Sequence, residues 1–308
     1  MDYSQILSQQ FNIKEEYAKN IITLLDDGNT IPFIARYRKE MQGSMDDQLI
    51  REFAEKLEYL RGLDKRRDEI RSLIDAQEKL TDEINLALDK AATLSELEDI
   101  YRPYRPKRKT RASIAKEKGL EPLANNILKQ EKGFDPSKSA VDYIDEEKGV
   151  TSVEDAIQGA MDIIAELVSD NAEIRKRIRN LTNANGVLVS VATDEEKDSV
   201  YKNYYDYKEP VKKIAGHRVL AVNRGEKEGF LKVSVETDSE KPLNSIFRAM
   251  ITDKNQLCSD IIREACTDAY QRLIYPSIER EVRNDLTDTA SENAMKVFAV
   301  NLKKLLMQ

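Results

Sequence analysis

Six cationic side chains crowd into residues 101–112, "YRPYRPKRKTRA": Arg102, Arg105, Lys107, Arg108, Lys109 and Arg111, interleaved with Tyr101, Tyr104, Pro103 and Pro106. Guanidinium groups grip phosphate oxygens through a planar fork, and ammonium groups bind them as point charges. Aromatic rings set beside such cations can stack on bases. The cluster is a local exception in a chain of net charge -7. Residues 99–119 hold eight Lys/Arg against Asp99 and Glu117, a balance of +6 that leaves -13 for the rest. An acidic body does not attract nucleic acid, whereas a focused basic patch on it does.

The prolines bear on the shape of the segment. Each fixes its own φ and disfavours helix in the residue before it, so Arg102 and Arg105 are expected to be extended. A polyproline-like strip advances about 3.1 Å per residue with three residues per turn. It would put Arg102, Arg105 and Arg108 on one face, roughly 9 Å apart, and Tyr101, Tyr104 and Lys107 on the next. The competing reading is a solvated loop whose tyrosines pack on the preceding helix and whose cations pair with the acidic body. "ARYRKEM" adds a smaller cluster, Arg36, Arg38 and Lys39, as second-choice phosphate contacts; by itself the cluster is a weak signal, and an ordinary helix surface is its more usual source. "RIRN" (177–180) and "RNLTNANG" carry less still.

Catalytic chemistry finds little material. His217 is the only histidine, with no Gly-x-Ser-x-Gly elbow or catalytic cysteine context to join it, so a structural hydrogen bond is its expected role. Cys258 and Cys266, eight residues apart, are expected to pack in a helix core; two thiols and one distant histidine make no zinc site. There is no Gly-rich phosphate loop. The chain is therefore expected to be no enzyme, with no cofactor, catalytic residue, metal or small-molecule substrate. Two cysteines, no signal-peptide core and no long apolar run point to a cytoplasmic protein away from membranes.

The elements that must position these residues read as mostly helical. Glycine (11) and proline (8) are scarce, and 34% of residues are charged. "NIKEEYAKNIITLLDDG" reads as a helix with Asn12 as N-cap, Tyr17, Ile21, Leu24 and Leu25 on one face, and Gly28 as its stop. "IPFIARYRKE" follows, burying Phe33, Ile34 and Tyr37 while Arg36, Arg38 and Lys39 stay wet. Residues 46–77 form the longest periodic stretch, through Leu49, Phe53, Leu57, Leu60, Leu63, Ile70 and Ile74, with a possible bend at Gly62. Ser95 with Glu98, and Ser152 with Asp155, have capping-box spacing. A helix restarts after Gly119, and "TSVEDAIQGAMDIIAELVSDNAEIRKRIRNLTNANG" reads as another, with Ile157, Met161, Ile164 and Val168 as its stripe. Strands are expected only at 186–193 and 229–237, pairing as a small hairpin. The tail from Leu257 returns to helix, interrupted by Pro276. The expected fold is mainly α, a multi-helix assembly with one long helix and at most a small β-hairpin, divided near residue 190 into segments 1–190 and 191–308.

Four blocks carry a family resemblance: "IPFIARYRKEMQGSMDD", "LSELEDIYRPYRPKRKTRASIAKEKGLEPLA", "YKNYYDYKEPVKKIAGHRVLAVNRGEKEGFLKV" and "YPSIEREVRNDLTDTASENAMKVFAVNLKKLLMQ". In this order, over almost the whole chain, they resemble the N-terminal half of the Tex family of bacterial transcription accessory proteins. One departure is Ala215-Gly216 where the family pattern has Pro-Ser before the His-Arg pair. The resemblance implies a helical region with a helix-turn-helix-like element. In the family this region precedes a YqgF-type domain, helix-hairpin-helix modules and a C-terminal OB-fold RNA-binding domain. It implies RNA or DNA as partner, with RNA polymerase or ribosome-associated proteins as further partners. Two functions follow: a non-catalytic nucleic-acid-binding scaffold whose basic loop meets the phosphate backbone, or a protein–protein module docking an acidic surface of the transcription or translation machinery.

Overall fold

The structure, a computed structural model, describes residues 2–106, 109–252 and 254–307. Two of the expected phosphate contacts, Lys107 and Arg108, lie outside the described residues. The chain divides into two compact units, Met1–Tyr104 and Arg105–Gln308, so the change of unit falls inside the basic segment. Residue 190, near which a boundary was expected, lies within a strand of the second unit.

The first unit is built from α1 (Tyr3–Phe11), α2 (Glu15–Asp26), α3 (Ile31–Tyr37), α4 (Lys39–Gln42), α5 (Asp47–Asp75), α6 (Asp82–Lys90) and α7 (Leu94–Tyr101). Asn12 does not start α2; it ends α1 in the left-handed region at φ 51°, a conformation asparagine tolerates. Gly28, at φ +79°, follows the end of α2 as expected. The long helix α5 is 29 residues, roughly 44 Å, and runs through Gly62. Its buried stripe begins at Ile50, fully buried, while Leu49 is exposed; Ile50 holds the three- and four-residue spacing to Phe53 and Leu57. Arg67 occupies a core position of that stripe. Its guanidinium donates to Leu88 O (2.8 Å) and Ala91 O (3.0 Å), satisfying carbonyls at the end of α6, and pairs with Asp64. The N-cap of α7 is Thr93 rather than Ser95. Its hydroxyl accepts from Glu96 N, while the Glu96 carboxylate accepts from Ala92 N at 2.7 Å. Glu98 instead pairs with Arg66 at 2.7 Å.

The second unit contains α8 (Arg111–Glu117), α9 (Glu121–Lys129), α10 (Pro136–Ala140), α11 (Val153–Ser169), α12 (Ala172–Asn185), α13 (Gly216–Lys227), α14 (Glu240–Met250), α15 (Gln256–Asp268) and α16 (Tyr275–Leu306). The stretch from Val153 to Asn185 is two helices, because Asn171 caps α12 through its side chain. Ser152 caps α11 as expected, but Asp155 reaches back to Thr151 N at 3.1 Å. In α11, Met161, Ile164 and Val168 are buried in the main core. That core also takes Cys258 and Cys266 on one face of α15; both are fully buried free thiols, and burial pushes Cys266 up to about 12.

Strands β1 (Val187–Ala192) and β3 (Leu231–Glu236) pair antiparallel, with Leu188 opposite Val235. The sheet has a third strand, β2 (Asp206–Pro210), on the other edge of β1, so it is more than a hairpin. Sequence reading missed β2 because "DYKEP" lacks a β-branched residue and ends in proline, which an edge strand tolerates. Pro276 does not interrupt the tail. A π-helical stretch at Ala269–Ile274 joins α15 to α16, and the widened turn accommodates the missing proline N–H. Ala215, at the departure from the family pattern, adopts φ -75° and ψ 140° as N-cap of α13, within proline's own range. Gly216 then sits where a Cβ would lie 3.2 Å from Ala290 Cα of α16, so the small residue permits that close approach.

Candidate functional site

Through Tyr104 the basic segment is not an extended strip. In the first unit Arg102 continues α7 in helical conformation (φ -52°, ψ -43°), and Arg102–Tyr104 close a 3-10 turn. The proline bias against a helical neighbour is a preference of limited size, and it loses here to packing. Tyr101 is 6% exposed and belongs to the core formed with Leu63, Ile70, Ile74, Leu88 and Leu97, with Tyr104 packed against it. Gln77 Nε2 donates to Tyr104 O at 2.9 Å, satisfying the carbonyl of the turn. Tyr101 therefore offers no face for a base, which corrects the expected stacking role, and Tyr104 is half-buried. The signal was present in the sequence: Leu97 and Tyr101 are four residues apart on the face α7 buries.

On the side of the second unit, Thr110 and Ser113 form a reciprocal capping box that starts α8: Ser113 N donates to Thr110 Oγ1 (3.0 Å) and Thr110 N to Ser113 Oγ (2.8 Å). Thr110 Oγ1 also donates to Glu166 on α11 at 3.0 Å, which holds the end of the segment in place. Arg105, Lys109 and Arg111 are exposed, and Arg102 is half-exposed. Lys109 lies 3.4 Å from Glu117, with both side chains well in solvent; such a pair contributes little and gives way readily to phosphate. Arg111 lines a cavity of about 220 Å³ with Lys118, Asp155, Gln158 and Asp162.

Asp162 is the strained member of this group. Its Oδ1 is buried and lies 3.6 Å from Arg272 Nη2, beyond hydrogen-bond length. Burial holds its carboxyl above the ordinary carboxylate range, although Arg272 and Arg111 pull the other way. A raised carboxyl favours folding at low pH and disfavours it once the folded group ionises. Asp162→Asn is expected to raise the melting temperature at neutral pH, with the gain vanishing below the unfolded value of 3.8. Thermal melts across that range measure it.

The second-choice cluster divides. Arg36 and Lys39 are exposed, and Arg38 is half-exposed with its guanidinium 5.3 Å from the Phe33 ring centre. Tyr37, expected to be buried with Phe33 and Ile34, is 65% exposed; Ile34 alone of the three is fully buried. Two cations of α12, Arg175 and Arg179, are internal fasteners, while Lys176 and Arg177 are exposed. Arg175 is fully buried and donates to Glu281 Oε1 (2.8 Å) and Ser277 Oγ (3.0 Å), while Arg179 grips Glu281 Oε2 through Nε (2.9 Å) and Nη2 (2.8 Å). His217 is exposed at the start of α13 and makes no side-chain hydrogen bond among the described residues, so the expected structural role is not there. No set of three or more His, Cys, Asp or Glu among the described residues is placed to hold a metal. No helix among them is long and apolar enough to cross a membrane.

Comparison with known proteins gives two family matches: a Tex-like protein N-terminal domain over residues 1–75 and a Tex central region-like domain over residues 131–298. Uncharacterized protein YdcI of Bacillus subtilis is 44% identical over 315 residues, covering all of this chain and 44% of that protein. Protein YhgF of Escherichia coli is 36% identical over 99% of this chain and 41% of its own length. A transcriptional accessory protein Tex from Neisseria gonorrhoeae is 36% identical over the whole chain and 41% of its own length. The chain thus spans less than half the length of these relatives.

Proposed function

The chain belongs to the Tex family, and we propose that it serves as a non-catalytic nucleic-acid-binding scaffold whose segment 102–111 meets the phosphate backbone. The observation that carries this reading is the charge balance: +6 over residues 99–119 on a body of -13, with Arg105, Lys109 and Arg111 at the surface. The name of the Neisseria relative, a transcriptional accessory protein, agrees in kind. Arg102, Arg105, Lys107, Arg108, Lys109 and Arg111 are the proposed phosphate contacts. With Tyr101 turned inward, the segment supplies charge and position rather than base contact, which makes binding indifferent to sequence.

The test is a fluorescence-anisotropy titration of the chain with labelled RNA and DNA at two salt concentrations. Saturable binding that weakens steeply with salt is expected. No binding at low salt, together with nuclease-resistant capture of an acidic protein partner, would replace this reading with a protein-docking one.

A further inference from the structure

We infer that Tyr37 is a stacking platform for an unpaired base of single-stranded RNA or DNA, flanked by Arg36 and Lys39 as phosphate contacts. The inference deepens the nucleic-acid reading and rests on it, but it places base contact in the first unit, at a residue outside the basic segment.

The local sequence explains the geometry. Helix α3 is short and anchors itself through Ile34, which is fully buried. Phe33 and Tyr37 are four residues apart and so share a face of α3, and their rings meet at 5.4 Å between centres with a 41° tilt. The Arg38 guanidinium lies 5.3 Å from the Phe33 ring centre, within cation–π range. Phe33 thus contacts both a neighbouring ring and a cation, and it gives the Tyr37 ring a packing partner. Tyr37 itself remains 65% exposed, although tyrosine is amphipathic enough to be drawn inward where space allows. Arg36 and Lys39 are exposed and make no ion pair among the described residues.

The chemistry selects one ligand class. Three cations within residues 36–39, against Glu40 alone beside them, favour an anionic chain. An exposed ring that packs on a neighbouring ring favours a flat partner, since every base has a π-face and stacking tolerates any sequence. Duplex bases are already stacked and present only their edges, so the platform suits an unpaired strand. The phosphates on either side of a stacked base lie within reach of long, unpaired Arg and Lys side chains.

The experiment uses the whole chain with three fluorescein-labelled probes: oligothymidylate, oligouridylate and a duplex of mixed sequence. Tyr37→Ala is expected to weaken binding of the single strands about tenfold or more, with Tyr37→Phe close to wild type. Duplex affinity and the salt slope should not move, because stacking releases no counterions. Far-UV circular dichroism checks that the surface substitution leaves the helices intact. Comparable loss on both single-stranded probes assigns the platform to either nucleic acid, and loss on one alone to that one. Unchanged single-strand affinity in Tyr37→Ala, while charge reversal of the basic segment abolishes binding, overturns the platform and leaves the phosphate reading standing. A wild-type chain that binds no probe overturns both.

Discussion

Glu281→Ala is expected to destabilise the second unit by about 3–5 kcal/mol, the range found when one partner of a buried charge pair is removed. The carboxylate serves two guanidiniums at once, Arg175 through Oε1 and Arg179 through Oε2, and joins α12 to α16 across more than a hundred residues of sequence. Arg175 is fully buried, and Glu281 is less than a third exposed, so solvent screens the triad poorly. Removing the carboxylate takes a shared acceptor from two guanidiniums at the α12–α16 contact, one of them fully buried. A loss of this size is a large fraction of the 5–15 kcal/mol that stabilises a typical domain. Urea denaturation followed by circular dichroism measures it. Glu281→Gln separates charge and acceptor loss from packing, since it keeps the volume but replaces one accepting oxygen with a donating NH2; it is expected to show most of the loss. A cost below about 1 kcal/mol for both variants would mean that the triad is an exposed surface pair in its energetics.

Reversing the sign of the basic segment is the second large effect. Replacing Arg105, Lys107, Arg108 and Lys109 by glutamate turns the balance of residues 99–119 from +6 to -2. Arg102 and Arg111 are left in place for structural reasons: Arg102 ends α7, and Arg111 starts α8 beside the buried carboxyl of Asp162. Affinity for duplex should fall about a thousandfold at low salt, because lost attraction is compounded by repulsion from phosphate. The unfolding transition should remain at the wild-type position, since Arg105 and Lys109 are exposed and the Glu117 that Lys109 meets at 3.4 Å is itself well in solvent. A variant that folds normally and binds as wild type removes the segment from the interface.

The sequence disclosed most of the helical architecture because periodicity reports which face is buried. Residues 53 to 74 of α5 and the α11 stripe through Met161, Ile164 and Val168 are legible for that reason. Helix starts were less legible where two polar residues compete. Thr93 and Ser95 offer the same capping chemistry, and only the path of the chain decides between them. Long-range pairing left no local trace. Arg175 and Arg179 look like surface cations until Glu281 is brought to them, and Arg67 looks like a flaw in an apolar stripe until the carbonyls of α6 arrive. The site was half legible. Its charge stood out by arithmetic alone, but the prolines suggested an extended strand, and the pull of Tyr101 and Tyr104 into the α5–α7 core outweighed that local preference. The same error ran in reverse at Tyr37, where an aromatic ring between cations was expected to be buried and lies in solvent.

The salt dependence of duplex binding bears most directly on the phosphate-contact proposal. Five of the six proposed cations on phosphate at once predict a slope of about -4.5 for log affinity against log salt, with each cation lost from the interface making it shallower by about 0.9. A slope near zero, or one that stays the same in the Arg105, Lys107, Arg108 and Lys109 charge-reversal variant, would contradict it.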